Sequence, residues 1–240
     1  MEDQSKFETF FIQMRSNRWY WLFNIFCRIL LAFGFLAAGG VKIVDERFAS
    51  GLSVNHPMGA YLEALHHTGY YYTFIGYAQI LAAILLLIPR TMVLGALLYF
   101  PIIVNICILS LAVRFDGSLI TAPLMVLANL FVLVWNYDRL RFLLPIQKHT
   151  SMEILSRPKK MTTDFPWKFG LVVLGCILGW FTFVLYGFEI MPRNSISDCN
   201  KQFLETKDEA AGIEFCSCIH SEGGDLDSCL AQFEIRRGQD

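Results

Sequence analysis

The residues with the most chemistry in them are cysteines near the C-terminus. Cys199, Cys216, Cys218 and Cys229 share one acidic stretch, while Cys27, Cys107 and Cys176 lie in apolar runs. Cys216-Ser217-Cys218 is a C-x-C, a spacing found in some thiol–disulfide exchangers. Exchange needs an exposed thiolate of low pKa. No Lys or Arg flanks this pair, and Glu214 and Glu222 oppose the thiolate. An even set of cysteines in a short segment reads as structural disulfides when that segment lies in an oxidising compartment. Cys216 and Cys218 are too close to pair easily within a helix. Each should bond outward, one to Cys199 and one to Cys229, with both pairings open. A four-cysteine metal site fits less well, since paired C-x-x-C units are missing.

A second set of chemically interesting residues sits inside apolar runs. Arg28, Gln79, Asn105 and Asn129 are polar groups at positions where polarity is costly. If they face one interior, they form a ligand-binding set for a small molecule, such as a quinone head group. The plainer reading is interhelical hydrogen bonding that fixes a bundle. Arg28 needs an anionic or carbonyl partner, and no acidic residue lies at its depth. Backbone, a lipid phosphate or a ligand would serve. His56, His66 and His67 with Glu63 invite a metal reading, yet two adjacent histidines rarely share one metal, and interfacial polar residues beside the Tyr70-Tyr71-Tyr72 belt are the expected alternative. No nucleophile–base pair, phosphate loop or metal motif stands out, so no catalytic residue is assigned.

These residues are carried by elements that read as membrane spans. The chain of 240 residues is 55% hydrophobic and only 17% charged, below the quarter expected of a soluble domain. No strongly basic region supports nucleic-acid binding. Nearly uncharged windows recur at Trp19 to Ile43, Tyr71 to Pro89, Thr91 to Val113, Ser118 to Tyr137 and Phe169 to Phe188. About 20 apolar residues cross the hydrocarbon core as a helix. A strand there would leave its backbone unsatisfied. The start of the chain lacks the pattern of a cleaved signal, so the first run is expected to be a retained span.

Lys6, Arg15, Arg18, Arg90 and the basic residues from Arg139 to Lys168 fall on one side of five such spans. The positive-inside rule makes that side the cytoplasm. The loop from Asp45 to Gly69 and the acidic tail then lie outside, where thiols oxidise. Within that loop Pro57 can open a short interfacial helix with Tyr61, Leu62 and Leu65 on one side. In the tail, Ser197-Asp198 can cap a helix through Cys199 to about Lys207, a second runs from about Ala210 to His220, and a third restarts at Asp225.

The run Arg28-Ile-Leu-Leu-Ala-Phe-Gly34-Phe35, followed by Gly39-Gly40-Val-Lys42-Ile, resembles the first span of the DoxX-like membrane proteins. Gly76-Tyr-Ala-Gln79 through Pro89-Arg90-Thr-Met-Val-Leu-Gly95-Ala is similar to that family's second and third spans. The resemblance covers roughly residues 20–140. Many members carry Glu where this chain has Gln79, which removes an ionisable group. The expected location is a bacterial cytoplasmic (inner) membrane, and the resemblance implies a four-helix membrane core. It implies scattered functions: a small subunit of a thiosulfate:quinone oxidoreductase, association with redox-stress proteins, or assembly of other membrane proteins.

The expectation is therefore an all-α membrane protein: a cytoplasmic segment (1–18), a four-span bundle (19–140), a basic cytoplasmic loop (141–168), a fifth span (169–188) and an extracytoplasmic four-cysteine domain (189–240). Its expected role is redox-associated binding of a quinone-like or other apolar small molecule in the bundle. The alternative is a non-enzymatic accessory protein whose disulfide-stapled tail binds a periplasmic or membrane protein partner. Besides the lipid bilayer no other partner class is implied, and whether the chain is an enzyme stays open.

Overall fold

The computed structural model describes residues 2–140 and 161–238, with side chains from residue 9 onward. The expected cations Arg141, Lys148, Arg157, Lys159 and Lys160, and the side chain of Lys6, lie outside that set. The described residues are helical, with no strand; a lone bridge joins Asn17 to Thr162.

Helix α1 spans Glu2–Arg15, within the N-terminal segment for which no helix was expected. Asn17 then caps α2, Arg18–Ile43, by accepting the Trp19 N–H at 2.8 Å. Helix α3 is Pro57–His66, opened by Pro57 and capped by the His56 side chain. Its buried face is Met58 and Leu62, with Tyr61 exposed, so the face predicted around Tyr61 and Leu65 is rotated. Met58, Leu62 and Phe115 close a small cluster under this loop with Leu52.

Helices α4 (Tyr70–Leu87), α5 (Met92–Ala112) and α6 (Thr121–Trp135) follow. α2 packs on α4 and α6, and α5 packs on the same two, which closes a four-helix bundle. Its core joins Leu31, Phe35, Ala82, Leu86, Tyr99, Ile103 and Val132, among others. Two close approaches need glycine. A Cβ on Gly39 would lie 2.8 Å from the Gly76 carbonyl, and a Cβ on Gly95 would lie 2.4 Å from the Leu86 nitrogen. Both are backbone atoms that cannot swing aside.

The fourth window is shorter as a helix than as an apolar run. Ser118 and Leu119 bond to the Phe115 carbonyl in a turn, so α6 starts only at Thr121 and has 15 residues. After Asn136 a single turn, α7 (Tyr137–Leu140), continues. Helix α8, Trp167–Gly187, has 21 residues and none buried. It leans on the bundle through Phe169, which meets Tyr20, Phe23 and Phe131, and through Trp180 Nε1, which donates to the Leu119 carbonyl at 3.2 Å. By length and apolarity α2, α4, α5 and α8 can each cross a membrane. The described residues thus form an all-helical protein with several membrane-competent helices.

The C-terminal domain is α9 (Ile196–Lys201), α10 (Glu209–His220) and α11 (Leu226–Arg237). Ser195, not Ser197-Asp198, caps α9, accepting the Asp198 N–H at 3.2 Å. Asp225 caps α11 on the Ser228 N–H at 2.9 Å. Phe203, Phe215 and Phe233 form a ring triangle with centroids 5.6–6.3 Å apart. Two cysteine pairs lie at disulfide distance beside it: Cys199 with Cys216, and Cys218 with Cys229. Of the pairings left open by spacing, this is the one the fold adopts.

Candidate functional site

Three of the four polar residues singled out in the spans point inward. Arg28 is 9% exposed, its Nε donating to the Leu86 carbonyl at 2.8 Å and its Nη2 to the Leu87 carbonyl at 2.5 Å. These carbonyls close α4, where helix acceptors lack helical partners and the dipole is negative. The partner Arg28 requires is therefore backbone. Asn129 Nδ2 donates to the Ala96 carbonyl at 3.1 Å, one residue from the Gly95 that abuts Leu86. One belt thus runs from α2 through the α4 terminus and the start of α5 to α6. Gln79 is buried two turns away on α4, roughly 10 Å along the axis, beside Gly39. Asn105 is exposed on α5 and stands apart from the other three.

The belt has members that spacing did not single out. Tyr99 Oη donates to the Leu31 carbonyl at 3.1 Å while its ring stacks on Phe35 at 3.5 Å. Thr91 Oγ1 donates to the Leu85 carbonyl at 2.9 Å. Asn24 and Asn136 are buried as well. Asn24 lies four residues before Arg28, in helical step with Leu31 and Phe35, which is the signal that would have found it. Several amide atoms keep no partner: Gln79 Oε1, Asn129 Oδ1, Asn136 Oδ1 and Asn24 Nδ2.

At the opposite end the C-terminal domain sits on the bundle loops. Arg114 Nη1 donates to the Ile190 carbonyl at 2.7 Å, with its guanidinium 5.1 Å from the Phe188 ring. Burial lowers the Arg114 pKa, opposed by the nearby Asp227. Asn55 Nδ2 donates to the His220 carbonyl at 2.9 Å, and His220 Nε2 meets the Pro192 carbonyl at 2.7 Å. His56 packs 5.8 Å from the His220 ring. Its Nδ1 accepts the Met58 N–H, so its proton sits on Nε2, which is buried. Burial, then repulsion from His220, pushes the His56 pKa down to about 4, although the Arg193 backbone slightly favours the proton.

His66 and His67 lie elsewhere, against the Asp45 and Glu63 carbonyls. Among the described residues no three of His, Cys, Asp and Glu stand at metal-ligating spacing.

An open polar cleft of about 420 Å³ marks the same junction, lined by Asp116, Arg193, Asn194, Asp198, Lys201 and Gln202. Arg193 pairs with Asp116 at 3.4 Å and Lys201 with Asp198 at 2.8 Å. Hydrogen bonds from Lys201 and Ser195 hold the Asp198 carboxyl below its usual range. The cleft offers both signs of charge to solvent and no activated nucleophile. It can recognise a polar surface.

A bundle capped by such a domain is not matched by any established family profile, nor by any solved structure. One curated protein does match: the uncharacterized protein YwoB of Bacillus subtilis strain 168 is 37% identical over 121 residues, 48% of this chain and 77% of that protein. This chain belongs to the YwoB family. The YwoB match spans under half of the chain, and the YwoB name carries no substrate or partner.

Proposed function

We propose that this YwoB-family protein is a five-span anchor of DoxX-like type in a bacterial inner membrane. On this reading α6 counts as the fourth crossing despite its 15 residues, and α8 as the fifth. The N-terminus faces the cytoplasm, where Arg15, Arg18, Arg90 and Arg139 gather, and the cysteine domain faces the periplasm. There the two cysteine pairs are structural disulfides, and the domain binds a protein partner as an accessory or assembly factor. The observation that carries this is the use made of polar groups. Arg28, Asn129 and Tyr99 hold neighbouring helices, whereas the junction cleft presents Arg193, Asn194 and Lys201 to solvent. The test is quantitative co-purification of periplasmic partners with the full chain. Arg193→Glu with Lys201→Glu should abolish the association, and Gln79→Leu should not. Equal capture by both variants removes the reading.

A quinone-like ligand in the bundle is the second reading, and one observation favours it. Gln79 Oε1 and Asn129 Oδ1 are buried acceptors without donors. A hydroxyl donor, as on a quinol, would satisfy them, while a quinone carbonyl would not. Organic extraction of the purified protein checks this: a stoichiometric quinol lost in Gln79→Leu supports it, and a clean extract rejects it.

A further inference from the structure

The Arg90 end of the bundle gathers more positive charge than its fold uses. Arg28 reaches the Leu86 and Leu87 carbonyls from α2. Arg139 reaches back from α7 to the Pro89 carbonyl at 3.3 Å. Arg90 belongs to the same turn and is exposed. Guanidiniums from α2 and α7 therefore reach the carbonyls of residues 86–89, and Arg90 adds a third positive charge from the turn itself. Among the described residues none of the three pairs with a carboxylate. The nearby acid, Asp138, is already engaged by Arg15 at 3.2 Å. A single capping cation would satisfy the α4 terminus, so two positive charges remain over.

The surroundings say what such charge would take. Leu87, Ile88 and Leu94, on either side of the turn, are exposed apolar side chains. A water-soluble anion gains nothing from them. An amphiphile with a phosphate head and acyl chains uses both features at once. Guanidiniums bind phosphate oxygens through paired N–H donors, and basic pockets between membrane helices hold anionic head groups.

We infer that the turn between α4 and α5 is a binding site for an anionic phospholipid, its phosphate held by Arg90 and Arg139 beside the buried Arg28 and its chains along Leu87, Ile88 and Leu94. This goes beyond the anchoring role and does not depend on it: the site needs only that these helices meet lipid.

The test uses the full chain in phosphatidylcholine–detergent micelles, titrated with phosphatidylglycerol and read by native mass spectrometry as retained lipid. Phosphatidylglycerol should be retained in preference to phosphatidylcholine. Arg90→Gln with Arg139→Gln leaves the Arg28 cap intact, so the variant should fold, with its melting midpoint in phosphatidylcholine as the check. It should weaken retention by about fivefold per charge removed. Arg193→Gln with Lys201→Gln, at the other end, should leave retention unchanged. Equal retention of the two lipids overturns the inference, as does full retention by the Arg90/Arg139 variant. Equal loss in the far-end variant, or equal protection by inorganic phosphate, overturns it too.

Discussion

The bundle and the C-terminal domain keep their helices together by different means. In the bundle, side chains of α2, α5 and α6 donate to backbone carbonyls of neighbouring helices, and Gly39 and Gly76 let two backbones touch. Its outer faces are apolar: Phe33, Leu94 and Ile108 are all exposed. In hydrocarbon those faces cost nothing, and there is no hydrophobic drive between helices, so close packing and hydrogen bonds decide the structure. The C-terminal domain is built differently. It buries Phe203, Phe215 and Phe233 in a core too small to suffice, and paired cysteines sit against that core. The lesson is that one chain holds its helices together by two kinds of cohesion.

The comparison can be broken first at the cysteines. Cys199→Ser with Cys218→Ser opens loops of 17 and 11 residues. The expected cost is about 3 kcal/mol for each loop. Limited proteolysis should then degrade the C-terminal domain and spare the bundle. An unchanged digest means the domain does not rely on its cysteine pairs.

Acid should separate the two regions next. The proton affinity of His56 is depressed in the docked structure, from an ordinary 6.5 to about 4. The undocked state binds the proton more tightly, so docking is fully stable above pH 6.5 and weakens as pH falls toward 4. The full effect is roughly 3 kcal/mol. Hydrogen exchange of residues 189–238 should rise across that window while the bundle stays protected. His56→Asn keeps a side-chain cap on α3 and should flatten the dependence.

Smaller effects sharpen the contrast within the bundle. Arg28→Met removes two donors from the α4 terminus and should cost about 1–3 kcal/mol, read as a lower melting midpoint in detergent. Asn129→Ala removes one interhelical bond and should cost about 0.6 kcal/mol, with Asn105→Ala, on the exposed face, as its near-silent control.

Much of this architecture was legible in composition. Long uncharged windows locate α2, α4, α5 and α8 because hydrocarbon tolerates little else. The positions of Cys216 and Cys218 limit the pairings because a helix cannot bring them together. Which way a polar residue faces was not legible. α5 is apolar on all sides, so nothing in its pattern shows that Asn105 looks outward while Tyr99 and Ile103 look inward. The partners of Arg28 and Asn129 were hidden for a related reason: both bond to backbone, which leaves no mark in side-chain identity. Helix α1 does carry apolar residues at helical spacing, Phe7, Phe10, Phe11 and Met14, but the stripe is short and set among charged and polar residues, so it is a weak signal.

The helices of the bundle differ greatly in reach. α2 has 26 residues and α6 has 15, which is about 39 Å against about 22 Å of axial rise. A bilayer core near 30 Å thick cannot match both. On the proposed five-span reading, acyl chains beside α6, where Leu127, Leu130 and Val134 are exposed, compress, and beside α2 they stretch or the helix tilts. On that reading the chain imposes a thickness gradient on its surroundings, and the length of the neighbouring fatty acids becomes a variable to which its packing responds.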